Sequence, residues 1–223
     1  MNPVLAFDIY GTLIDTHGVV EELQSRIGDR AWDFSRRWRE KQLEYTFRRG
    51  LMKNYIDFPT CTRQALDYCD KEMQVGLNDE DKTILMQRYA SLPAFDEVTA
   101  VLATLQQSGI DLYAFSNGTA AGVNGLLEQA GIRGYFIDVI SVDEIGSYKP
   151  DPAVYQHCLQ RIGAQAESCW LVSSNPFDIL GADNVGMLTA WIQRDPGMMF
   201  DPWGIQPTAT ISRLGELPEI LQQ

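Results

Sequence analysis

The sequence predicts an α/β protein: a doubly wound parallel sheet with a small helical cap inserted after its first strand. Three observations predict it. An apolar run, Val4–Phe7, ends at Asp8 and a Gly-Thr turn. From Gly18 to about Tyr89, apolar residues recur at helical spacing with few strand-like runs. Beyond Pro93, strand-like and helical stretches alternate, the pattern of a parallel sheet covered by helices on both faces.

Taken in order, Val4–Phe7 is the first strand. In the helical block, Trp38, Tyr45 and Met52 recur at helical spacing, as do Leu43, Phe47 and Leu51, and Asn54–Thr60 reads as a loop between helices. Asp96 is placed to cap a helix ending at Gly109. Asp111–Ser116 is a strand, Ala120–Ala130 a helix stopped by Gly131, and Ile137–Val142 a strand. Pro152 suits the first turn of a helix ending near Gly163. Trp170–Ser173, Leu188–Ile192 and Thr208–Ile211 read as further strands. The expected division is a Rossmann-like core of residues 1–14 and 91–223, with residues 15–90 as the cap.

The 223 residues suffice for one core plus a small accessory domain. With 30 acidic and 18 basic residues the net charge is −12, which argues against nucleic acid or an anionic membrane as partner. A few local cations can still dominate a pocket for an anionic substrate. No apolar run approaches the roughly 20 residues that span a bilayer. The start of the chain lacks a basic leader, so the chain reads as cytoplasmic. Cys61, Cys69, Cys158 and Cys169 form no CxxC pair and read as free, half-buried thiols, while His17 and His157 are too separated to suggest a metal site.

Candidate chemistry sits where strands end. Asp8 follows the first strand, where an open α/β sheet presents its site, and a carboxylate there can act as a nucleophile. Tyr10 stands two residues on; a phenol with an ordinary pKa of about 10 is a poor proton carrier near neutrality. Ser116-Asn117-Gly118 can bind an anion through a hydroxyl, an amide and backbone N–H groups, or be an ordinary turn. Lys149, in Tyr148-Lys149-Pro150-Asp151-Pro152, can keep nearby carboxylates ionised. In Ser173-Ser174-Asn175-Pro176-Phe177-Asp178, structure alone accounts for Asn175 as N-cap, Pro176 at N1 and Asp178 at N3. Arg39, Leu43 and Phe47 share one helical stripe, which gives Arg39 either a buried partner or simple exposure among Arg36, Arg37, Arg48 and Arg49.

Together, DxYGT, SNG, YKPDP and SSNxxD in this order resemble the haloacid dehalogenase superfamily, and within it the L-2-haloacid dehalogenases, over nearly the whole chain. The cap segments WREKQLEYTFRRGLM and YIDF share the resemblance. It implies Asp8, Thr12, Arg39, Lys149, Tyr155, Ser173, Asn175 and Asp178 as catalytic residues. It implies Tyr10, Arg39, Leu43, Phe58, Ser116, Asn117 and Phe177 around the substrate. Two positions depart from the pattern: Glu40 stands where Gln is expected, and Phe177 where Trp is expected, which loses an indole N–H donor. An extra negative charge at Glu40 is expected to alter substrate binding.

The resemblance further implies hydrolysis of an L-2-haloalkanoic acid to the D-2-hydroxy acid through an ester on Asp8, with no metal and no cofactor. Thr12 would orient Asp8; Arg39 and Asn175 would receive the halide; Ser116 would hold the substrate carboxylate. Asp178, supported by Ser173, Tyr155 and Lys149, could activate the hydrolytic water. Phosphatases of the superfamily carry an acid at the position of Tyr10 and a metal-binding Asp at that of Ser174. A magnesium-dependent phosphatase is therefore the alternative, and a non-catalytic carboxylate-binding protein a third reading. The family often forms homodimers; Trp203 and Met198–Phe200 suit either an apolar contact region or the core.

Overall fold

A computed structural model describes residues 3–221. Its sheet contains β1 (Val4–Phe7), β2 (Asp111–Ser116), β3 (Asp138–Ser141), β4 (Cys169–Ser173), β5 (Leu188–Ile192) and β6 (Ala209–Ile211). All pairings are parallel, in the order β3-β2-β1-β4-β5-β6. β1 is central, and Leu5, Ala6 and Phe7 are completely buried, as a strand covered on both faces requires. Each such Leu or Phe contributes roughly 1.5–3 kcal/mol of burial free energy. Phe7 lies opposite Ala114 of β2 and Val172 of β4, so the residues after these strands share one edge. The chain order reverses direction about β1, which makes the crevice between the ends of β1 and β4 the switch point where such sheets bind ligands.

Four helices follow β1: α1 (Val20–Ile27), α2 (Ala31–Met52), α3 (Phe58–Met73) and α4 (Asp79–Tyr89). The 22-residue α2 buries Phe34, Trp38 and Gln42 against its neighbours, and Trp38 Nε1 donates to the Thr62 carbonyl in α3 at 2.9 Å. The chain leaves the sheet and returns to it at one place. Asp15 N donates to Pro93 O at 2.8 Å, Phe95 N donates to Leu13 O at 3.0 Å, and Ile14 forms an antiparallel bridge with Ala94. Arg194, just beyond β5, braces this crossing. Its Nε and Nη2 donate to Thr12 O at 3.1 and 2.7 Å, Nη1 pairs with Glu97 at 2.6 Å, and the guanidinium lies over the Phe95 ring.

The remaining helices cover the sheet: α5 (Val98–Gln107), α6 (Ala120–Gln129), α7 (Pro152–Ile162), α8 (Pro176–Asp183) and the short α9 (Leu217–Ile220). Several boundaries depart from the sequence reading. α3 begins at Phe58, because Asp57 accepts from Thr60 N and caps it, so the expected loop Asn54–Thr60 is shorter. Asp96 does not cap α5. Glu97 occupies that place, and its carboxylate is taken by Arg194 and by Leu214 N instead. The same helix stops at Gln107, short of Gly109. All four cysteines are free and fully buried rather than half-buried, and burial pushes the Cys69 and Cys169 thiols up to about 12. Trp203 and Met199 are 73% and 77% exposed, which rules out a core role for them. Residues 1, 2, 222 and 223 of the expected core lie outside the described residues. No helix among the described residues is long and apolar enough to cross a membrane.

Candidate active site

Asp8 lies at the C-terminal end of β1 and is buried. Its backbone N–H still pairs with Val172 O at 3.0 Å, so the sheet ladder itself aims the side chain over the crevice. Gly11 then takes a φ of +85°, a left-handed turn that favours glycine, with room for only an ordinary contact to Ser174 Oγ. This turn brings Thr12 back under Asp8, and Thr12 Oγ1 donates to Asp8 Oδ2 at 2.8 Å. Asn175 Nδ2 donates to the same oxygen at 2.8 Å and lies 3.3 Å from Tyr10 O. The backbone of Asn175 occupies the N-cap position of α8, as expected, but its amide makes no capping bond and serves Asp8 instead.

The second carboxylate is Asp178, in the first turn of α8 and completely buried. Lys149 joins the two acids. Its Nζ donates to Asp178 Oδ2 at 2.9 Å, Asp8 Oδ1 at 3.1 Å and Phe115 O at 2.9 Å, which uses all three ammonium protons. Burial disfavours the charged ammonium, but the Asp178 and Asp8 carboxylates outweigh it and hold Lys149 above its ordinary value. Burial pushes Asp178 up, and Asp8 adds to this, against the opposing pull of Lys149 and Tyr155. Tyr155 donates to Asp178 Oδ1 at 2.8 Å from α7. Asn117 Oδ1 accepts from Lys149 N at 3.0 Å and so fixes the loop that carries the lysine.

Ser173 is buried, and its Oγ accepts from Asn175 N at 3.1 Å. Ser116 is likewise buried, and its Oγ accepts from Gly118 N at 3.1 Å. Ser174 Oγ donates to Gly11 O at 2.8 Å, and Ser174 N donates to Thr12 Oγ1. The hydroxyl at Ser174 therefore ties the nucleophile turn to β4. Tyr10 is buried, 5.8 Å from the Tyr89 ring in a stacked arrangement and 5.2 Å from Phe58. Burial first, then Tyr89 and Asp8, push its phenol well above 10 despite Arg39, so it keeps its proton. The site thus offers Asp8 and Asp178 already bridged by an ammonium, an aromatic wall and a tethered hydroxyl. No group of three or more His, Cys, Asp or Glu residues suited to a metal occurs among the described residues.

Arg39 is half-buried on α2. Its Nη1 donates to Gln42 Oε1 at 2.8 Å, and its Nη2 reaches Tyr10 O at 3.3 Å, across from the helices to the nucleophile loop. Gln42 is held in turn by Thr62 Oγ1 and by the Tyr89 hydroxyl. Sequence reasoning missed Gln42, Tyr89 and Arg194, and read Ser174 only as the place of an absent metal-binding Asp; of the three missed, only Gln42 carried a signal, its i+3 spacing from Arg39 on one helix face. Leu43 is half-buried on the same helix. Glu40 projects outward, where it lies 3.6 Å from Arg37. The expected extra charge thus faces solvent. Phe177 packs edge-on against Phe47 at 5.0 Å, and both line a cavity of about 800 Å³ with Leu51, Leu180, Trp203 and Lys149.

A family model described as haloacid dehalogenase-like hydrolase matches residues 3–186. The chain is 38% identical to haloacetate dehalogenase H-2 of Moraxella sp. (strain B), over 93% of this chain and 92% of that protein. It is 35% identical to the (S)-2-haloacid dehalogenase of Pseudomonas sp. (strain YL), over 98% and 94% of the two chains. Among solved structures, it is similar to L-2-haloacid dehalogenase from Xanthobacter autotrophicus with chloropropionic acid covalently bound. That similarity has a TM-score of 0.93 and 28% identity, covering 100% of this chain and 99% of the other.

Proposed function

Since the chain belongs to the haloacid dehalogenase-like hydrolase family, we propose that it hydrolyses L-2-haloalkanoic acids to D-2-hydroxyalkanoic acids through an ester on Asp8. The observation that carries this reading is the environment of the Asp8 carboxylate. Three donors, Thr12, Asn175 and Lys149, converge on its two oxygens, while the neighbouring phenol of Tyr10 is kept from donating a proton by burial. Such a site suits a leaving group that departs as a stable anion. Halide is one; an alkoxide is not.

In the first step an Asp8 oxygen forms a bond to C2 of the acid as the carbon–halogen bond breaks on the opposite face. Halide leaves with the electron pair, toward Arg39 and the Asn175 amide, where negative charge develops. Water then adds to the ester carbonyl carbon of Asp8. One proton passes to Asp178, whose buried carboxylate is a stronger base than an ordinary aspartate. The bond between that carbon and the ester oxygen breaks, the departing oxygen takes back the proton that Asp178 accepted, the hydroxy acid is released, and the second proton of the water leaves the regenerated Asp8 carboxyl to solvent. C2 is inverted once, so an L acid gives a D product. Lys149 bridges the two acids at the start of the cycle. Ser116 and the backbone N–H groups beside it would hold the substrate carboxylate, with Asn117 supporting. Tyr10, Leu43, Phe58 and Phe177 would enclose the alkyl group and halogen. In this reading residues 15–90 are a cap that closes over a core of 1–14 and 91–223.

The test is halide release from L- and D-2-chloropropionate with a chelator present. Release from the L acid only, with D-lactate as product, is expected, together with its loss in Asp8→Asn. Release from both enantiomers, or cleavage of a phosphate ester only when magnesium is added, would refute the reading.

A further inference from the structure

We infer that Gly181, a residue with no polar atom in the site, is a positioning residue for the hydrolytic half of the reaction, acting through Tyr155. This inference rests on the proposed reaction. Gly181 lies inside α8, one turn beyond Asp178. Its backbone is ordinary helix, so no left-handed conformation calls for glycine there. Glycine is also the poorest helix former after proline. What demands it is space. A Cβ built at Gly181 would lie 2.3 Å from Tyr155 Oη, 2.5 Å from Cε2 and 2.6 Å from Cζ. These atoms cannot give way easily: Tyr155 is completely buried, and its ring packs edge-on against Phe115 at 5.6 Å.

The missing side chain lets the phenol lie on α8 and donate to Asp178 Oδ1 at 2.8 Å. Asp178 is thereby held at both oxygens, Oδ2 by Lys149 and Oδ1 by Tyr155. A methyl group at Gly181 pushes the phenol off the carboxylate that takes the proton from water. Ester formation at Asp8 depends on Thr12, Asn175, Lys149 and Arg39, whereas the three atoms nearest a Cβ at Gly181 all belong to Tyr155. The first step is therefore spared and the second is slowed.

The experiment compares wild type, Gly181→Ala, Tyr155→Leu and the double variant with L-2-chloropropionate. Gly181→Ala is expected to lose on the order of tenfold or more in kcat, the worth of a hydrogen bond to a charged group. Its kcat/KM for halide release should stay near wild type, with a burst of about one halide per active site before the slow phase. Leucine lacks the three atoms that collide, so adding Gly181→Ala to Tyr155→Leu should lower kcat no further and should not lower Tm, alanine being the better helix former. Unchanged kcat in Gly181→Ala, an equal fall in kcat and kcat/KM, or a further loss in the double variant overturns the inference. If the wild type releases no halide, the proposed reaction itself fails. Gly181 is then judged by a crystal structure of Gly181→Ala, in which a Tyr155–Asp178 distance still near 2.8 Å would overturn the positioning role and a broken bond would uphold it.

Discussion

Lys149 divides one positive charge between two buried carboxylates. Asp178 bears the consequence. It must be ionised to take a proton from water, yet burial and Asp8 hold its carboxyl above the ordinary aspartate range. Protonation of Asp178 removes the base, so kcat falls as pH drops through its folded pKa. The acid limb of kcat is expected to lie above the usual aspartate value of about 3.9. Tyr155 donates to the ionised form and pulls this pKa down. Tyr155→Phe removes that bond, so the limb should move to higher pH; a pH–rate profile that moved the other way, or stayed still, would contradict the assignment. Lys149 itself is raised, so the network should keep its cation well past neutral pH.

At the scale of an element, the two faces of α2 have different duties. The inner face carries Arg39 and Gln42 to the nucleophile loop and Trp38 to α3. The outer face carries Glu40, paired only loosely with Arg37, which itself makes a close double contact with Glu72. An exposed pair of this kind is worth about 0–1 kcal/mol. Glu40→Gln is therefore expected to leave kcat and KM within about twofold, measured on the same chloropropionate. A larger change in KM would mean that this face meets the substrate after all. The far end of α2 is bound to the sheet side by contacts in the following loop: Tyr55 donates to Asp143 at 2.6 Å, and Ile56 O accepts from Tyr148 at 2.5 Å. Tyr148 immediately precedes Lys149, so the loop that closes the helices also steadies the lysine.

For the whole molecule, what could be read from sequence followed what is local. Strands Asp111–Ser116 and Leu188–Ile192 are bounded by turn residues and match the structure to the residue. Asp8, Thr12, Lys149, Asn175, Asp178 and Tyr155 were legible as a set through the resemblance, and the structure brings them within hydrogen-bonding reach of one another. What was not legible depends on partners distant in sequence. Glu97 gives up capping because Arg194 and Leu214 claim its carboxylate. Asn175 turns from its helix to Asp8, 167 residues away. Gly181 has no meaning until Tyr155 lies against it. Trp203 is as apolar as Trp38, yet one is 73% exposed and the other 2%, a difference fixed only by which surface the chain happens to cross.

The paired crossing at Leu13–Asp15 and Pro93–Phe95 makes residues 16–90 a detour from an otherwise closed circuit. Departure and return lie within one hydrogen bond of each other, so the sheet does not depend on the excursion for its connectivity. A tight linker joining Asp15 to Ser91 should give a shortened chain that keeps the mixed α/β circular dichroism of the core and a cooperative melt, but releases no halide because Arg39 has gone with the detour. A chain that failed to fold would show the helices to be structural partners of the sheet. If it folds, lids of other shapes could be grafted at the same two ends while Asp8, Lys149 and Asp178 stay where they are. Substrate range and bond chemistry would then be separable properties of one polypeptide, able to change independently.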